Sequence, residues 1–278
     1  MRVDTTVVSP LAERAAGAQE ASARIAAMLP AHTHYVQLQS GGLEVLLHKA
    51  PSQTETINDT DHGIVTFWRV LRDRPTELRR ACSLTPLSRA EFDIARSSGC
   101  HSPGTDDLEV ARRVWVLLSQ SADGPARLRP QWRDPRRRRP HPGSDPEVEQ
   151  METLAQRLKN VTLECLPPVK VVEALGSRRG VCFYADLRTD LFGAQGADPG
   201  AALRPGPATV VAALAKTKAT VVTRMDHEGV EVKPPGGWSQ ASLNVRTGPP
   251  VVLWSNRPLS VQQPLFDVEP GPTGKALP

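Results

Sequence analysis

Apolar residues along this chain fall by turns into stripes with helical spacing and into short unbroken runs, the pattern of alternating helices and buried strands. Residues 18–29 place Ala21, Ile25, Met28 and Leu29 on one side and stop at Pro30, which predicts a helix. Tyr35–Leu38 reads as a short strand leading into Ser40-Gly41-Gly42, followed by a helix from Leu43 to His48. A second strand is expected over Thr54–Ile57, ending at Asn58-Asp59. Ile64, Phe67, Trp68 and Leu71 then space a helix for which Asp61 is a natural N-cap. Ser88-Arg89-Ala90-Glu91 reads as a capping box, the hydroxyl taking an orphan N–H while the glutamate reaches back. A further helix starts at Asp106 or Asp107, with Leu108, Ala111, Val114, Trp115 and Leu118 on one face.

Residues 122–146 break the pattern with proline, glycine and arginine, and Pro146 suits the first turn of the next helix, which turns Val148, Met151, Leu154 and Leu158 inward. Strands are expected at Val161–Cys165, Val181–Ala185, Ala219–Val222 and Val251–Trp254, with helices near Val169–Leu175 and Thr209–Ala215. Residues 187–207 carry no clear period, and the tail after Pro264 reads as disordered. Strands alternating with helices specify an α/β layered fold.

Composition narrows the function without naming it. The net charge of +4 and pI near 9.0 permit a nucleic-acid partner without requiring one. No H-E-x-x-H or comparable ligand spacing is present, so no metal is expected. The cysteines Cys82, Cys100, Cys165 and Cys182 lack C-x-x-C spacing and read as small buried hydrophobes in a reducing compartment. No charged start precedes an apolar h-region, and no apolar run approaches ~18 residues. A cytoplasmic chain without a membrane span is therefore the expectation.

Three features could carry chemistry. Gly41 and Gly42 follow a strand and precede a helix, where backbone can approach a ligand closely, and Asp59 lies near the ~20-residue offset of a ribose-binding carboxylate. Most glycine pairs are simply turns; the Asn58-Asp59 strand end is what raises this one to a nucleoside-site candidate. Asp186 ends the run VCFYAD, where a central strand would surface; an N-cap or loop aspartate is the plainer reading. Arg127 to Arg139 form a basic stretch with Trp132 among them, either a solvated loop or a phosphate-contacting one, with Arg129, Trp132 and Arg133 as the DNA candidates.

Several stretches together resemble the Dam-type adenine-specific DNA methyltransferases, in particular their phage and actinobacterial branch. They are ARIAAMLPAHTHYV, the run from Glu55 to Phe92, DDLEVARRVWVLLSQS, QWR, RLKNVTLEC and VVLWSNRPL, spanning about Ala23 to Leu259. The resemblance implies a Rossmann-like S-adenosylmethionine-dependent methyltransferase sheet over 1–66 and 147–262. It also implies a helical DNA-recognition insert over 67–146, with 263–278 left as the disordered tail. The implied cofactor is S-adenosylmethionine, the partner double-stranded DNA, and the reaction methyl transfer to the N6 amine of a flipped adenine.

Position by position, the motifs are depleted. The aromatic-x-Gly-Gly-Lys motif falls on Arg14-Ala15-Ala16-Gly17-Ala18, and Glu-Pro-Phe-x-Gly-Gly on Gln37-Leu38-Gln39-Ser40-Gly41-Gly42. Asn58-Asp59 is kept, Asp-Pro-Pro-Tyr has become Asp186-Leu187-Arg188-Thr189, and the strand expected to end in Ser-Gly-Tyr reads VVTRMD. The resemblance thus assigns Gly41, Gly42, Asp59 and Asp186 to the cofactor and Asp186 to catalysis. Loss of the stacking tyrosine alone removes about 1–3 kcal/mol per base. The expectation is a DNA adenine-N6 methyltransferase homologue with weak or lost activity; the alternative is an inactive DNA-binding pseudoenzyme.

Overall fold

The computed structural model describes residues 9–11, 17–97, 104–121, 132, 146–188, 206–225, 232 and 234–259. The expected tail, 263–278, lies outside them. Seven strands form one sheet: β1 (His34–Leu38), β2 (Thr54–Asn58), β3 (Val161–Glu164), β4 (Val181–Asp186), β5 (Thr220–Arg224), β6 (Ser239–Leu243) and β7 (Val251–Ser255). Their order is β3-β2-β1-β4-β5-β7-β6. The first five run parallel, β7 runs against β5, and β6 against β7. This is the doubly wound, Rossmann-like α/β sheet that the sequence led us to expect.

Side-chain alternation along the strands divides the interior into two cores. Tyr35, Ile57, Cys182, Tyr184 and Val222 face one side, together with residues of α1 (Ala18–Met28), α2 (Glu44–His48), α3 (His62–Asp73), α4 (Pro75–Leu84), α5 (Arg89–Ser97), α6 (Asp107–Ser119), α7 (Pro146–Glu149) and α8 (Met151–Leu158). Val36, Leu38, Val181, Phe183, Ala185 and Val221 face the other, against α9 (Pro168–Leu175) and α10 (Pro207–Ala215). Phe67, Trp68 and Trp115 of the helical region share the first core with Ile25 and Tyr35, so sheet and helices are packed as one body there. The division expected between residues 66 and 67 falls inside α3.

Asp61 caps α3 as its position suggests, accepting from the Gly63 and Ile64 N–H groups at 2.8 and 3.3 Å. The capping box at Ser88 forms only by half. Its hydroxyl takes the Glu91 N–H at 3.4 Å, but Glu91 turns to Arg112 at 2.8 Å and the Ser88 N–H goes to Gln120. A buried-side guanidinium offers Glu91 a charge-assisted partner that outcompetes a backbone amide. Strand β6 escaped the pattern reading, because SQASL is exposed along most of its length at the sheet edge and shows no apolar run. Among the described residues no helix is long and apolar enough to cross a membrane.

Candidate functional site

The strand order reverses between β1 and β4: the chain winds to β2 and β3 on one side and to β5 on the other. In such sheets the crevice at the carboxyl ends of the two central strands is where ligands lie. Register places the candidates around that crevice, since Leu38 pairs with both Asn58 and Ala185, and Asp186 with Arg224. Gly41, Gly42, Asp59 and Asp186, far apart in sequence, are thus gathered at one edge.

The loop after β1 is tightly wound. Gln39, Gly41 and Leu43 take positive φ of 59°, 48° and 61°, which costs a residue with a Cβ roughly 1–2 kcal/mol. Neighbours hold it in that shape. The Tyr35 hydroxyl donates to Gln37 Oε1 at 3.0 Å, and the Gln37 amide donates to the Ser40 carbonyl at 3.0 Å. The Trp68 indole N–H donates to the Gly41 carbonyl at 3.1 Å. Asp59 accepts the Ser40 hydroxyl and the Gly41 N–H on one oxygen, at 3.2 and 3.3 Å, and the Asp61 N–H on the other at 2.9 Å. Asn58 locks the loop after β3 by exchanging two hydrogen bonds with Leu166. The Gln39 side-chain oxygen is buried with no hydrogen-bond partner among the described residues. An orphan acceptor beside left-handed backbone is the kind of cost that accumulates at functional crevices.

Gly42 is tied to its neighbours by space. A Cβ there would sit 2.6 Å from the Leu11 carbonyl oxygen and against the Glu44 carboxylate. Glu44 can swing away, but Leu11 is buried backbone that cannot. Gly42→Ala is therefore expected to lose about 1–3 kcal/mol of unfolding free energy, read by chemical denaturation. A loss below the noise would show that the segment at Leu11 yields freely.

Asp186 is the decisive residue. Its carboxylate is not open to the crevice: Arg188 folds back and donates from Nε at 2.9 and 3.2 Å and from a terminal nitrogen at 2.7 Å. Arg224, its register partner on β5, lies 3.8 Å away. All three side chains are largely buried, at 16%, 11% and 14% exposure. Burial pushes the Asp186 carboxyl upward in pKa, but the Arg188 and Arg224 cations outweigh it and leave it below its ordinary value. The group is a firmly ionised member of an ion pair. Arg188 was legible as a cation near the site; its bidentate grip on Asp186, and the role of Arg224, were not.

The DNA candidates divide. Arg129 and Arg133 lie outside the described residues. Trp132 is half-buried, set edge-to-face on Phe92 with centroids 5.5 Å apart and with the Arg89 guanidinium 6.0 Å over its ring. Packing thus accounts for the tryptophan where it stands.

No family profile and no curated protein matches the chain. Among solved structures it is similar to the rRNA methyltransferase aviRa from Streptomyces viridochromogenes, in structures at 2.4 Å and 1.5 Å. Both are 14% identical, cover 92% of this chain and 93% of that one, and have TM-scores of 0.37 and 0.38. A likeness of that size adds nothing to what the strand order already establishes.

Proposed function

We propose that this chain is a DNA-binding homologue of the adenine-specific DNA methyltransferases with little or no methyl transfer of its own. The observation that carries the reading is the grip of Arg188 on Asp186. A carboxylate that orients an adenine amine must offer it an oxygen lone pair, and here both oxygens already accept charge-assisted bonds. Exchanging a guanidinium for a neutral amine inside a buried pocket is uphill.

S-Adenosylmethionine fits this crevice poorly. Asp59 stands where a carboxylate could hold a ribose diol, but its oxygens serve Ser40, Gly41 and Asp61. Leu11 and Glu44 crowd Gly42, and two guanidiniums occupy the carboxylate a sulfonium would seek. No chemical step is therefore drawn through the cofactor. The DNA side of the reading rests on the basic pI and on the arginines from Arg127 to Arg139.

The test combines transfer of a labelled methyl group to unmethylated DNA with duplex binding across a salt series. The expected result is no transfer at high cofactor concentration, together with an affinity that falls steeply with salt. Transfer abolished by Asp186→Ala would overturn the silent reading. Absence of duplex binding at low salt would sink the DNA reading.

A further inference from the structure

Away from the crevice, a groove of about 610 Å³ runs between α3 and β3. One wall is the face of α3 that carries His62, Val65, Thr66, Arg69 and Arg72; the other is the chain from Lys159 to Leu163. β3 ends the sheet, pairing among the described residues with β2 alone. Its orientation follows from one bond. The Glu164 carbonyl accepts the Asp59 N–H, so Glu164 points its backbone groups at β2. Backbone direction alternates along a strand, so Val161 and Leu163 point theirs outward, away from the sheet. An edge of this kind is a template for one more strand.

We propose that the α3–β3 groove docks an extended acidic segment of a partner protein, which adds a strand to β3. Main-chain bonds to Val161 and Leu163 would supply the pairing, and alternate carboxylates would meet Lys159, Arg69 and Arg72. The lining contains cationic side chains and no carboxylate. Arg69 and Arg72 hold Asp107 and Asp73 at 3.0 and 2.7 Å, at the rim. Both pairs are solvent-accessible and hence exchangeable for a partner's carboxylates. Charge disfavours a second copy of this chain, which would set one cationic groove against another. A single nucleic-acid strand is disfavoured as well. It has no alternating N–H and C=O groups to pair with a strand edge, and the one ring in the lining is the His62 imidazole. The inference stands apart from the DNA reading.

A short fluorescent peptide of alternating glutamate and valine, titrated onto the full chain at low salt, tests it alongside amide hydrogen exchange. The expected result is saturable binding, slowed exchange at Val161 and Leu163, and binding weakened roughly tenfold by the exposed charge reversals Lys159→Glu and Arg69→Glu together. An otherwise identical lysine–valine peptide should not bind. No binding of the acidic peptide, or binding that leaves those two amides unprotected, overturns the proposal. So does protection of the same amides by a single-stranded oligonucleotide instead, or by self-association seen in sedimentation.

Discussion

Replacing Arg188 by alanine is expected to lower the unfolding free energy by about 3 kcal/mol, the low end of the ~3–5 kcal/mol typical when one member of a buried pair is removed. The low end applies because Arg224 stays 3.8 Å from the carboxylate and keeps part of the compensation. The same change should raise the pKa of Asp186, since burial then works against fewer opposing charges. Carboxyl-carbon titration by NMR reads that shift directly, and chemical denaturation reads the stability. The sign in pH follows from the depressed folded pKa. In the unaltered chain the pair contributes fully above the unfolded aspartate value of about 3.9 and is lost as pH falls through the lower folded value. Arg188→Ala should therefore flatten the acid limb of the stability curve. An unchanged stability would mean that the Arg188 contact is incidental, and with it the main ground for a silent site would go. Arg188→Lys separates charge from geometry: it keeps a cation but cannot form the two-pronged contact, so an intermediate loss is expected.

Much of the sheet could be read from the chain because its central strands are buried on both faces and spell unbroken apolar runs. Val181–Asp186 is the clearest, with its first five residues buried. The edge strand β6 could not, because a mostly exposed strand needs no apolar residues and SQASL supplies few. The site was legible in part for a similar reason. Gly41, Gly42, Asp59 and Asp186 are marked by local context, each at or just after the end of a strand. What occupies them is not local. Asp59 spends one oxygen on a loop nineteen and eighteen positions upstream, and Trp68 reaches back across 27 positions to the Gly41 carbonyl. Arg224 meets Asp186 only because β4 and β5 pair in that register. Residue types announced a carboxylate at the right strand end; only the fold shows that the carboxylate is already engaged.

The second large effect lies at the opposite end of β2. Glu55→Gln is expected to cost about 3–5 kcal/mol, because it strands two buried cations that the carboxylate now joins. Lys49 donates to Glu55 at 2.6 Å, the two side chains being 5% and 4% exposed. Arg157 makes a two-pronged contact with the same carboxylate and also donates to the Leu46 carbonyl at 3.0 Å. Lys49 further rests 4.8 Å over the Tyr35 ring, the residue that begins the hydrogen-bond chain to the glycine loop. Burial pushes the Glu55 carboxyl up, but hydrogen bonds from Arg157, Lys49 and the Ser52 N–H hold it below its usual range. Its contribution is therefore complete above the unfolded glutamate value of about 4.3 and lost as pH falls through the folded value. Denaturation of Glu55→Gln across pH should show the deficit at neutral pH shrinking as the solution is acidified, since the parent loses the same interaction there. A deficit that stays constant down to acid pH would mean that packing, and not charge, is what Glu55 provides. Replacing all three members by apolar residues of similar volume should cost far less than removing Glu55 alone. Such a triple variant leaves no uncompensated charge, and exchanges of that kind are often neutral or stabilising. If the triple variant is as damaged as the single one, the ion triad is needed for the unique packing of β2 against α8 and not only tolerated there.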